Sequence, residues 1–172
     1  MSTSLAGLLQ GGISLYREEI EGILPHRGKM LFLDQVMIEK GVVFGEFTFS
    51  DENCEGHELM PSMKIVRGVD VVEMAFQLLG VFCSQNPALV EKSEGKIYAA
   101  RGIRGAVFNG LIKPGDKVVL EMSTEINIQN LSGIIIINSG RIVARVADKR
   151  KCTIASIKIV AFDPRLVSTR TG

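Results

Sequence analysis

The 172-residue chain has no tryptophan, two histidines and three cysteines. Cys54, Cys83 and Cys152 stand far apart, with neither a CxxC pair nor a ligand-like Cys/His spacing, which argues against a zinc site and against a complete disulfide framework. A reducing, cytoplasmic setting is the simplest expectation. No apolar run reaches the roughly 18 residues a membrane helix needs, and the N-terminus lacks a basic segment leading into an apolar core and cleavage site. No membrane partner or targeting signal is therefore expected. An excess of one charge is missing too: 20 Lys and Arg against 19 Asp and Glu leave a formal charge of +1. That balance exerts no global pull toward nucleic acid or acidic surfaces, and no nucleic-acid motif is present.

The length suits one domain with a single core, since domains most often hold roughly 100 to 150 residues. The chain is organised around residues 68–85, GVDVVEMAFQLLGVFCSQ. Their apolar positions lie on nearly every side of a helical wheel, which predicts a helix buried almost all round. Asp70 and Glu73 interrupt it at i, i+3 and share a face near its N-terminal end. A carboxylate in a central helix is costly unless paired, hydrogen-bonded or protonated, so Glu73 asks for a functional explanation.

Residues 1–12 are small, Gly-rich and weakly patterned, and read as a loosely held arm. A short amphipathic helix is expected over 15–24, closed by Pro25. Residues 29–39 and 41–49, rich in β-branched and aromatic side chains and split by Lys40-Gly41, predict a β-hairpin. Residues 50–67 read as a long irregular loop that delivers His57 toward the helix. Beyond Asn86-Pro87 and a polar connection at 91–95, strands are expected over 96–101, 103–108, 117–128, 133–147 and 152–162. Pro114-Gly115-Asp116 is a turn, Asn138-Ser139-Gly140 turns or bulges its strand, and residues 148–151 make the last hairpin. The tail from Asp163 is polar and is expected to fray. One long apolar helix among many antiparallel strands packs most economically as an α+β fold, a curved sheet wrapped around the helix. Open apolar sheet edges favour pairing with a second copy, and a homodimer is expected.

Four stretches, in order, resemble one family. Residues 23–27 (ILPHR) with 31–36 (LFLDQV), the Gly56-His57 pair, residues 68–77 (GVDVVEMAFQ) and residues 102–116 (GIRGAVFNGLIKPGD) are similar to the hotdog-fold 3-hydroxyacyl-[acyl-carrier-protein] dehydratases, particularly the FabZ type. A glutamate at position 73 points to that type over FabA. The resemblance divides the chain into an arm (1–16), a hotdog domain (17–162) and a tail (163–172). The active-site loop departs from the family pattern. Residues 57–68 read HELMPSMKIVRG, and His57 and Glu73 lie two positions further apart than usual, 73 − 57 = 16.

The resemblance implies dehydration of a (3R)-3-hydroxyacyl group carried on the phosphopantetheine of an acyl carrier protein, giving the trans-2-enoyl product in fatty acid biosynthesis. It implies no metal or redox cofactor. His57 is then the base at C2, and an imidazole is suitably neutral near pH 7. Glu73 protonates the leaving hydroxyl, a role that an apolar surround favours by disfavouring the carboxylate. Gly68 offers its backbone N–H, at the helix N-terminus, to the thioester carbonyl. In the family the two catalytic groups meet across a dimer interface, and a trimer of dimers stays open. Val69 and Phe76 are candidate linings for the acyl chain.

Each residue also has a plainer role open to it: His57 as a loop-stabilising histidine, Glu73 as a paired structural carboxylate, Gly68 as a point of close packing. Asp70 complements the helix dipole and is a minor candidate for the acid. Gln77, one turn beyond Glu73, either orients it or is an ordinary buried amide. His26 and Arg27 are read as bracing the first strand, and Arg67 as binding phosphopantetheine or a carboxylate, or pointing to solvent. Lys64, Arg67, Arg101 and Arg104 are candidates for a basic patch that meets the acidic carrier protein. Two alternatives to the dehydratase are a noncatalytic acyl-binding or assembly module and a hotdog thioesterase.

Overall fold

The apolar run at the centre of the sequence becomes the axis of the molecule in the computed structural model, which describes residues 12–165. In chain order the elements are β1 (Ile13–Tyr16), α1 (Arg17–Ile23), β2 (Gln35–Glu39), β3 (Val42–Thr48), β4 (Glu58–Met60), β5 (Met63–Lys64), α2 (Gly68–Ser84), α3 (Pro87–Lys92), β6 (Ile97–Phe108), β7 (Lys117–Ser123), β8 (Asn127–Leu131), β9 (Ile134–Asn138), β10 (Ile142–Val146) and β11 (Lys149–Phe162). The long helix is α2, and Val71, Met74, Ala75, Leu78, Leu79 and Phe82 bury most of its circumference. Each large side chain taken fully out of water contributes about 1.5–3 kcal/mol, so the helix is held by packing rather than by propensity.

Among the described residues, all strands except the β4–β5 pair belong to one antiparallel sheet. β11 organises its far half. β6 pairs with β11 from Cys152 to Phe162, β10 pairs with residues 149–154 of β11, and β9 with residues 158–161. Because β6 occupies one edge of β11 along that length, β9 and β10 must share the other edge. They are two halves of one strand, and β8 and β7 are the matching halves of its neighbour. Residues 138–140 therefore bulge the strand instead of reversing it. Ser139 bridges the gap: its N–H donates to the Ile157 carbonyl (2.9 Å), and its Oγ accepts from the Ile157 N–H (2.9 Å).

The sheet approaches α2 closely at Gly45 on β3, where a Cβ would lie 2.9 Å from both Leu33 Cδ2 and Leu78 Cδ1. That approach fixes the separation of helix and sheet. Gly45→Val is expected to cost about 1–3 kcal/mol through overpacking, read as a lower midpoint in urea denaturation.

Several local outcomes differ from the sequence reading. The helix expected over 15–24 starts only at Arg17, because residues 13–16 pair with β2 as β1. The strand expected over 29–39 starts only at Gln35, because residues 28–30 form a 3-10 turn and the Phe32 N–H is taken by the Gln77 side chain instead of a neighbouring strand. The loop expected over 50–67 contains the small β4–β5 hairpin. The polar connection expected over 91–95 is preceded and partly taken up by α3, which runs to Lys92 and whose start is fixed by Asn86 Oδ1 accepting from the Leu89 N–H. The two strands expected over 96–108 are one, β6, with Arg101 as the extra residue where the register shifts opposite Lys158/Ile159, and with Gly105 at φ +62 opposite Ala155. The expectations for residues 1–11 and 166–172 lie outside the described residues.

Candidate active site

The first turn of α2 settles the role of two residues within the chain. Asp70 is 4% exposed, and Arg67 answers it with two parallel bonds, Nε to Oδ2 and Nη2 to Oδ1, both 2.9 Å. A buried carboxylate held by a guanidinium fork is structural, and the pair pins the start of the helix. Hydrogen bonding to Asp70 in turn raises the Arg67 pKa and keeps it charged.

One turn later stands Glu73, with a third of its side chain exposed. Gln77 is buried and fully used: its Oε1 accepts from the Phe32 N–H (2.8 Å), and its Nε2 donates to Met30 O (2.8 Å) and to Glu73 Oε1 (3.1 Å). The amide thus fixes the carboxylate to the chain segment that runs beside the helix. Gln77→Leu would leave a buried N–H and a carbonyl without partners, an expected loss of about 2–4 kcal/mol in urea denaturation.

Glu73 and Phe76 line a cavity of about 280 Å³ together with Leu24, His26 and Gln77, closed by residues 98–100 of β6 and by Ile159. Val69, one turn before Glu73, lies beyond the end of this cavity and is 68% exposed in the single chain. Tyr98 donates to Ser93 Oγ (2.6 Å), and burial raises its pKa, so the phenol on the cavity wall is neutral.

The sequence reading missed His26. The ILPHR block was read as a brace, and Arg27 does that work by donating to the Leu24 and His26 carbonyls. The imidazole of His26 instead faces the site, with Nε2 3.1 Å from Glu73 Oε1. Its Nδ1 is buried without a partner.

His57 sits at the mouth of the β4–β5 hairpin. Its Nδ1 is 3.0 Å from the Ile65 carbonyl, while Ile65 N–H donates to the His57 carbonyl (3.1 Å). A carbonyl only accepts, so Nδ1 carries the proton and Nε2 is left as the basic nitrogen. The longer loop is therefore folded into a hairpin whose return strand orients the ring. Gly68 opens α2 beneath Phe108, where a Cβ would meet the ring at 2.8 Å, so close packing is one reason for a glycine there. Within one chain His57 and Glu73 make no contact with each other. Beside them runs the free edge of β6, on which Ile97, Ile103, Val107 and Phe108 are exposed.

Of the four basic residues singled out, Arg67 is committed to Asp70 and Lys64 lies 3.3 Å from Asp51, while Arg101 and Arg104 are exposed on β6. The three cysteines are free and buried. Burial pushes the Cys152 thiol up to about 11 and raises that of Cys83 as well, which keeps both as inert packing groups.

Comparisons with known proteins agree with this architecture. The family model for the FabA-like domain matches residues 24–153. The chain is 34% identical over 139 residues to the 3-hydroxyacyl-[acyl-carrier-protein] dehydratase FabZ of Ligilactobacillus salivarius, covering 78% of this chain and 91% of that protein. It is 30% identical over 139 residues to the enzyme of the same name from Bacillus pumilus, covering 78% and 88%. Among solved structures it resembles the dehydratase heterocomplex ApeI:P from Xenorhabdus doucetiae with a TM-score of 0.65 at 15% identity, over 89% of this chain and 97% of that one, a likeness of fold. The chain belongs to the FabA-like family and, within it, to the hotdog-fold 3-hydroxyacyl-[acyl-carrier-protein] dehydratases of the FabZ type.

Proposed function

We propose that this chain dehydrates (3R)-3-hydroxyacyl-[acyl-carrier-protein] to the trans-2-enoyl thioester of fatty acid biosynthesis, with His57 from one copy and Glu73 from another forming each site. The observation that carries this reading is a carboxylate held by a buried amide at the wall of a largely apolar cavity, in a chain whose best-oriented imidazole lies elsewhere. Elimination needs a base at C2 and an acid at the C3 oxygen. His57 Nε2 takes the C2 proton, Glu73 gives its proton to the departing hydroxyl, and the bond between C3 and oxygen breaks to release water. The Gly68 N–H, at the positive end of α2, steadies the oxygen of the developing enolate. Phe76 and the neighbouring cavity wall accept the acyl chain, and Val69 joins that wall once a second copy covers it.

The pairing follows from the β6 edge. An exposed apolar strand with unused backbone groups pairs with its own symmetry mate, which joins two sheets and brings His57 of each copy toward the other's α2. Arg101 and Arg104 lie on this strand and suit the acidic surface of a carrier protein arriving at the cavity mouth. The deciding assay follows enoyl-thioester absorbance when purified protein meets 3-hydroxyacyl thioesters on carrier protein and on a small thiol. Enoyl product is expected. Release of free thiol without enoyl product would make the chain a thioesterase, and inertness on all chain lengths would leave an acyl-binding module.

A further inference from the structure

Glu73 must offer one oxygen as acid while the other holds the carboxyl in place, and its surroundings divide the two. Gln77 Nε2–H donates to Oε1, and His26 Nε2 stands 3.1 Å from the same oxygen. Oε2 has no partner among the described residues. His26 comes to this position on the loop after α1, where Arg27 ties down the carbonyls of Leu24 and His26 itself. Its ring is 30% exposed, yet Nδ1 is buried and lacks an acceptor. An imidazolium would place a second N–H in that unpartnered spot, at the cost of burying an unsatisfied donor. A neutral ring with its proton on Nε2 leaves only a bare lone pair there.

Building on the dehydratase reading, we propose that His26, neutral and protonated on Nε2, is a positioning residue for Glu73: with Gln77 it occupies Oε1 and reserves Oε2 for the proton given to the leaving hydroxyl. A cation 3.1 Å from the carboxyl would favour the carboxylate and empty the acid, whereas a neutral donor orients it without that penalty. Nothing else in the cavity replaces this control. Among the described residues, the only other titratable group on its wall is Tyr98 from β6, whose hydroxyl is given to Ser93, and α2 contributes Glu73 itself. The nearest cation in sequence, Arg27, is spent on backbone carbonyls. Contacts of this kind tighten when substrate is bound, so the separation in the free chain is sufficient for the role.

The test has one arm that needs no turnover. The chain has two histidines, so His57→Ala leaves His26 as the sole imidazole. Ring nitrogen-15 spectra of that variant at about pH 8 are expected to show the neutral ring as its Nε2–H tautomer. An Nδ1–H tautomer, or a ring still protonated at that pH, overturns the proposal. In the enoyl assay, His26→Phe is expected to lower kcat about 10- to 100-fold with KM nearly unchanged, and His26→Gln, whose amide N–H reaches the same oxygen, to recover most of it. His26→Lys is expected to move the alkaline fall of kcat to lower pH, because a fixed cation favours the carboxylate and the acid is lost earlier. Equal losses in the Phe and Gln variants, or a Lys profile that does not move, overturn the positioning role. A wild-type chain that forms no enoyl product overturns the dehydratase reading instead, while the ring spectra still report on His26.

Discussion

Glu73→Gln is expected to lower kcat for enoyl formation roughly 100- to 10,000-fold while KM changes little. The substitution keeps the shape of the side chain, and Gln77 Nε2, 3.1 Å from Oε1 in the parent, still meets a carbonyl oxygen. What disappears is an acidic proton. Hydroxide is a poor leaving group, so C3–O cleavage without a positioned acid must draw its proton from water. The amide leaves the cavity wall and the fold intact, so melting temperature and dimer content should match wild type. If the variant retains more than about a tenth of wild-type kcat, Glu73 is not the acid. Asp70 does not inherit the role, because both of its oxygens are bound by Arg67.

The second large effect is a gain. His57→Ala and Glu73→Gln are each expected to be inactive alone, and mixing them under conditions that exchange protomers should restore about one quarter of wild-type activity. The arithmetic is geometric. Random exchange makes half the dimers mixed, and each mixed dimer has one site with both groups intact and one with neither. The expectation rests on the separation of the two residues within a chain: His57 is held by Ile65 on the hairpin and Glu73 by Gln77 on α2, with no contact between them. On the proposed pairing, the exposed residues Ile97, Ile103, Val107 and Phe108 on β6 are the surface on which copies join. Should both groups of a site come from one chain, mixing two dead variants would recover nothing. Activity of the mixture before and after exchange, followed at constant total protein, separates the two outcomes.

The features legible in the sequence were those encoded locally. An apolar run on all sides of the wheel specified α2, and Lys40-Gly41 and Pro114-Gly115-Asp116 marked turns that hold in the structure, because backbone preference and pattern agree there. Glu73 with Gln77 four residues on was readable for the same reason: helical spacing alone puts them on one face. His26 was not readable. It lies 73 − 26 = 47 positions before Glu73, and only the tertiary path of the loop after α1 brings its ring to that oxygen. The pairing of Arg67 with Asp70 was within reach, since i, i+3 spacing at a helix start favours it, but the family pattern drew attention to the arginine as a departure. Residues 31–33 misled because β-rich composition reports burial as well as strand pairing. The Leu31 N–H goes to the Gly28 carbonyl and the Phe32 N–H to the Gln77 side chain, partners that no strand pattern encodes.

Ser139 gives the far half of the sheet a mechanical property. At the one level where the strand bulges, its hydroxyl and its amide both engage Ile157, so the ladder is patched rather than interrupted. Opening either β9 or β10 away from β11 at this level would expose the buried Ser139 and strain its two bonds to Ile157, which couples the halves. The bend that lets the sheet curl around α2 is thereby obtained without a hinge. The cavity wall at Ile159 lies on the same strand, β11, as the distant β10–β11 hairpin, so the two are joined through one continuous ladder.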